Sequence, residues 1–283
     1  MILASLLAGS PKPDTEQQGT NVGEYIIHHV QNRNEWNIFG YNLHLPQFEP
    51  ITILGLKIDL SITYHVVMLW IAALLLLLLF GILFRKRSLV PKGFAALLEM
   101  LVIFVRNDIA IANLGEKYGK KFAPLIVTFF FFILTCNLMG MIPLFSTPTG
   151  NINVTAALAI ITFVTGQVYG IRMNGLAKHV KSLVPSGLPV YMLPLMYVIE
   201  IMGLIAKHFA LIVRLFANMI AGHIVFFAFL GLIFIFKSIL ITPLSVGFAL
   251  FVDLLEILVA FIQTYVFTVL SSLFIGMSVH PEH

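Results

Sequence analysis

The 283-residue chain is 59% hydrophobic and only 11% charged, with a mean hydropathy of +0.97. Soluble domains carry about 25% charged residues, so a soluble globular protein is excluded and the chain reads as a polytopic membrane protein. The net charge of +4 does not point to nucleic acid, because the basic residues cluster beside apolar runs. The single cysteine, Cys136, excludes a disulfide framework and a cysteine-rich metal site.

Residues 1–61 are polar and mixed, and we read them as an external N-terminal segment. Met1 to Ala8 is apolar but lacks the basic start of a secretory signal. The adjacent His28 and His29 are read as surface residues, since neighbours in sequence are poorly placed to share a metal. The membrane domain occupies 62–283. Its first span, about 62–84, is one uninterrupted apolar run, long enough for a crossing. Arg85, Lys86 and Arg87 follow at once, which places that end in the cytoplasm and the N-terminus outside.

Residues 91–109 are apolar but broken by Lys92, Glu99, Arg106 and Asp108, the pattern of an amphipathic helix on the cytoplasmic surface. A second span, about 122–144, leads to the uncharged PLFSTPTGNIN stretch, a short external loop. The third span, about 154–171, contains Gly166 and Gly170. That spacing permits close helix contact, and chance glycines explain it equally well. Arg172, Lys178 and Lys181 mark its cytoplasmic end.

The fourth run, about 190–236, is roughly 70 Å long if helical, over twice the hydrocarbon thickness of about 30 Å. Either it breaks or it tilts strongly. Lys237, Ser238 and Thr242-Pro243 are turn signals, and a fifth run, about 244–279, brings the C-terminus inside. The expected fold is therefore all-α: about five membrane-crossing helices plus the surface helix, with the last two long and tilted as an antiparallel hairpin.

Within LIVRLFANMIAGHIV, Leu211 to Val225, sits a lone Arg214. An arginine at membrane depth costs several kcal/mol and cannot shed its proton. It is a functional-site candidate, against a structural arginine facing a helix or snorkelling to a headgroup. Glu200, Lys207 and Arg214 are spaced by seven, so they share a helix face, and Asn218 lies near it. That stripe reads as a wet path or as a buried seam. Glu256 and Gln263 are likewise seven apart. With the hairpin turning near Ser238, Arg214 falls opposite Gln263, and His223 falls within two residues of Glu256 in depth. A histidine and a carboxylate at one depth can relay protons or simply form a buried pair. The arrangement is a polar patch outside, another inside at Glu200, and a fixed cation between. A carboxylate that moves past that cation would have to come from a partner.

RLFANMIAGH resembles the signature of the a subunit of rotary ATP synthases. NLMGMIP (Asn137 to Pro143), the TPTGNINVT loop, PLMYVIE ending at Glu200, and EILVAFIQTYVF from Glu256 are similar to family segments, in the family's order. The resemblance implies a non-catalytic stator subunit with two half-channels that load and unload protons on the carboxylates of the rotor c-ring. In it, Arg214 faces the ring with Asn218 and Gln263 beside it. His223 and Glu256 line the outer half-channel, with Asp253 as a further acid there. Glu200 lines the inner one, on a face shared with Lys207. It also implies the bacterial inner membrane, partnership with the c-ring and the peripheral-stalk b subunits, and no cofactor, metal or nucleic acid. This chain departs from the best-studied bacterial pattern in exchanging the histidine and the acid at His223 and Glu256. It also has Gly140 where that pattern has an acid.

Two other classes stand beside this reading. A secondary transporter or channel with an intramembrane charged site would place that site between inverted repeats of broken helices, and no internal repeat is visible. An intramembrane enzyme would need a motif such as His-Glu-x-x-His, GxSxG or paired aspartates, and none is found.

Overall fold

The computed structural model describes residues 35–38, 41–47, 51–53, 56–58, 61–85, 92–142, 145–184, 189–236 and 241–279. Met1 to Ala8, His28, His29 and the turn at Ser238 lie outside the described residues. In the N-terminal segment, β1 (Glu35–Ile38) pairs antiparallel with β2 (Tyr41–His44), and β3 (Ile51–Ile53) with β4 (Leu56–Ile58).

Among the described residues that follow, the regular elements are helices: α1 (Tyr64–Leu83), α2 (Phe94–Phe104), α3 (Ala112–Gly140), α4 (Ile152–Asn174), the short α5 (Leu176–Lys181), α6 (Leu193–Phe236) and α7 (Ile241–Val279). Five helical stretches are long and apolar enough to cross a membrane, as the hydropathy pattern implies. Large apolar side chains on α1, such as Trp70, Leu77 and Ile82, are exposed. An apolar surface of this kind belongs to a multi-pass membrane protein, where lipid takes the place of water.

Residues Val105–Ile111 join α2 to α3 as a π-helix. The chain reverses at Gly115, whose φ of 75° suits a residue without Cβ. Leu98, Val105, Ile109 and Leu114 thereby pack back on Phe122, Ile126 and Phe130 of α3 and on Ile275 of α7. The Ile109 carbonyl accepts from Asn113 Nδ2 (2.9 Å) and Ser272 Oγ (3.1 Å). This ties the π segment to α7 by polar bonds in an apolar core.

Two compact units emerge. The larger takes in residues Asn32–Ile220 and Glu256–His283. Its centre is Phe129 and Ile133 of α3, Leu158 and Ala159 of α4, Leu211 and Leu215 of α6, and Phe267 of α7. Gly166 lets α4 approach α7, since a Cβ there would lie 3.2 Å from Ser278 Oγ. Gly170 receives the His179 ring, which would be 2.6 Å from such a Cβ. Both glycines are thus used for close packing. The other unit contains Ala221–Leu255, where the Phe229 and Phe248 rings stack at 5.4 Å and Ser245 Oγ donates to the Phe229 carbonyl.

α6 covers 44 residues and α7 covers 39. Thr242-Pro243, read as part of a turn, falls instead in the first turn of α7, where a proline removes no helical hydrogen bond.

At the end of α3, a Cβ on Gly140 would fall on the Thr147 side chain. The departure from an acid at this position therefore has a steric reason: the threonine fills the space. Gly140→Ala should overpack this junction and cost about 1–3 kcal/mol. A lower Tm of the solubilised protein checks this, and adding Thr147→Gly should recover part of the loss.

Candidate functional site

The charged stripe is built on α6. Leu211, Leu215 and Met219 repeat every four residues and are buried, which fixes one face of the helix to the core. Arg214 precedes Leu215 and therefore sits on the flank of that face, exposed. Among the described residues it has neither an ion pair nor a hydrogen bond. Asn218, one turn on, is also exposed and donates from Nδ2 to Gln263 Oε1 at 2.8 Å. Gln263 is 3% exposed, and its Nε2 has no partner among the described residues.

The hairpin register is therefore one turn away from the sequence expectation: Gln263 meets Asn218, not Arg214. The reason is packing. Leu211 and Leu215 settle against Phe267, and this contact overrides a register counted from a turn placed at Ser238.

Glu200 and Lys207, seven apart, do share a face, and their charged groups lie 3.8 Å apart. Both are partly exposed, so the pair is worth little as a stabilising contact. They line a cavity of about 530 Å³ together with Gln167, His179 and His208. His208 Nδ1 donates to the Leu204 carbonyl at 2.9 Å, and its ring lies 5.0 Å from those of Phe163 and Phe274. His179 Nε2 and Gln167 Oε1 are 2.9 Å apart. Burial pushes the His179 imidazole below its ordinary value, because the charged form loses hydration. Neither histidine was singled out in the sequence; an ionisable residue one position after Lys207 on an apolar helix was the available signal for His208.

A second buried polar cluster surrounds Asn137, which is 1% exposed. Its Oδ1 accepts from Thr149 Oγ1 at 2.6 Å, and its Nδ2 lies 3.5 Å from the Ala260 carbonyl and from Thr264 Oγ1. Glu256 is buried one turn before Ala260 on α7. The NLMGMIP segment marked Asn137 in sequence but gave it no role. His223 and Asp253 belong to the unit containing Ala221–Leu255, and both are half-buried there. Among the described residues no three His, Cys, Asp or Glu side chains converge as a metal site.

Residues 66–276 match the family described as ATP synthase A chain. The ATP synthase subunit a of Chloroherpeton thalassium is 50% identical over 264 residues, covering 91% of this chain and 77% of that protein. That of Myxococcus xanthus is 51% identical over 229 residues, covering 80% and 75%. The ATP synthase subunit a 2 of Chlorobium luteolum is 44% identical over 271 residues, covering 92% and 76%.

Two outcomes follow from this geometry. Asn218→Ala and Gln263→Ala should destabilise non-additively, with a coupling of about 1 kcal/mol, as read from a double-mutant cycle on thermal unfolding. For His179, the unfolded chain takes up its proton first as pH falls below the ordinary 6.5. Stability present above that value is lost as pH falls through the lowered folded value. His179→Gln should therefore show a smaller drop in Tm on acidification than the parent.

Proposed function

The chain belongs to the ATP synthase A chain family, and on that footing we propose that it is the stator ion channel of the membrane sector. In this reading it carries two half-channels that load and unload protons on the carboxylates of a rotor c-ring. The observation that carries the reading is Arg214, exposed beside a buried face and without an acid of its own among the described residues. A fixed guanidinium on an exposed apolar helix calls for an anion from outside the chain.

The steps follow from charge. A proton arrives from outside by way of His223, Asp253 and Glu256 and neutralises a ring carboxylate. The neutral site can then turn into lipid, where the ionised one would cost several kcal/mol. On the other side the site opens to the cavity at Glu200 and Lys207 and gives its proton up. Along α6, Glu200 lies about 21 Å from Arg214 at 1.5 Å per residue. The carboxylate passes Arg214 as an anion, held by opposite charge, with Asn218 and Gln263 beside it. The same positive charge repels protons and so seals one half-channel from the other. The subunit makes and breaks no bonds; torque passes through the ring to a soluble catalytic head, and the peripheral-stalk b subunits hold the stator still.

Its setting follows the sequence assignment: the bacterial inner membrane, the N-terminus outside, the C-terminus in the cytoplasm, and residues 91–109 on the cytoplasmic surface. The external segment is 1–61, and the membrane domain 62–283 crosses at about 62–84, 122–144, 154–171, 190–236 and 244–279.

Vesicles carrying the whole complex with Arg214→Ala should lose ATP-driven proton pumping while assembly, read on a native gel, persists. Passive proton leak should rise in the same vesicles. Normal coupled pumping would return Arg214 to a structural role and overturn the reading.

A further inference from the structure

We infer that His208 is a proton relay of the cavity shared by Glu200 and Lys207, a role that rests on the stator reading above. Its Nδ1 donates to the Leu204 carbonyl. A carbonyl can only accept, so this bond holds the neutral ring in the tautomer whose lone pair is on Nε2. That nitrogen is buried and has no partner among the described residues. An unsatisfied buried acceptor is costly, and the adjoining space of about 530 Å³ is roomy enough to supply water. The rings of Phe163 and Phe274, each 5.0 Å away, hold the imidazole in place.

The charged and titratable groups around the cavity are few. Glu200 and Lys207 come from α6 itself and His179 from α5. The lining side chains of α4 and α7, among them Phe163, Gln167 and Phe274, carry no charge. His208 is six residues from Arg214, about 9 Å along the helix, whereas Glu200 is about 21 Å away. It stands between the ring-facing cation and the carboxylate at the far end.

The transfer balances as follows. A proton leaving a ring carboxylic acid crosses cavity water to Nε2, leaving a carboxylate and an imidazolium. The same proton then leaves Nε2 for water beside Glu200, and the Nδ1 proton stays on its bond to Leu204. During ATP-driven pumping the sequence runs in reverse.

The test uses whole-complex vesicles and two variants that each keep one structural contribution of the ring. His208→Asn keeps a donor for the Leu204 carbonyl but no basic nitrogen, and His208→Phe keeps the aromatic packing. Both should pump roughly tenfold more slowly at normal assembly, a modest share of what proton-transfer groups supply. The dependence of rate on the pH of the cavity side should flatten in both. His208→Ala should regain flux with added imidazole. Wild-type flux in either of the first two variants, or slowing with an unchanged pH profile and no imidazole rescue, would make His208 a packing residue and overturn the inference. Arg214→Ala measured in parallel separates the two ideas: if it loses pumping while the His208 variants do not, only the relay falls.

Discussion

The packing of Leu211 and Leu215 against Phe267 sets the register on which the candidate site depends, and the hydrogen bond between Asn218 and Gln263 closes within it. Gln263 is buried, and its Oε1 takes the Asn218 amide because a buried polar group without a partner costs more than the bond itself gains. With Leu211 and Leu215 committed to Phe267, Arg214 is left one turn away on the exposed flank. The same logic repeats through the larger unit. Thr162 bonds Ser271, Asn137 bonds Thr149, and Ser272 bonds the Ile109 carbonyl. Polar pairs pin the helices where apolar packing alone would let them slide.

Hydropathy made the helices legible, since a run of apolar residues long enough to cross a membrane has few other structures open to it. The seven-residue spacing made the Glu200 and Lys207 pair legible for the same geometric reason. What stayed hidden depends on contacts between segments distant in sequence. The partner of Gln263 is set by side-chain volumes at Leu215 and Phe267, which no spacing reveals. His208 shows in sequence only as an ionisable neighbour of Lys207 on an apolar helix; its placement between Phe163 and Phe274 beside a cavity is a matter of tertiary contacts. The hairpins of residues 35–58 were obscured because short strands in mixed polar sequence leave a weak pattern.

Gly140 and Thr147 show how a local steric exchange can alter chemistry nearby. The threonine occupies the volume that a side chain on Gly140 would need. Asn137, one turn earlier, is then completed by Thr149 from the same loop. The junction is polar but uncharged.

The packing of α6 within the larger unit has a mechanical side. Its Leu211, Leu215 and Met219 are wedged into the core every turn, on the face beside Arg214. A lateral pull on the guanidinium is thus met by compression of close-packed side chains rather than by bending of a hinge. Close-packed interiors yield little under load. That backing is supplied by three apolar residues on the adjoining buried face.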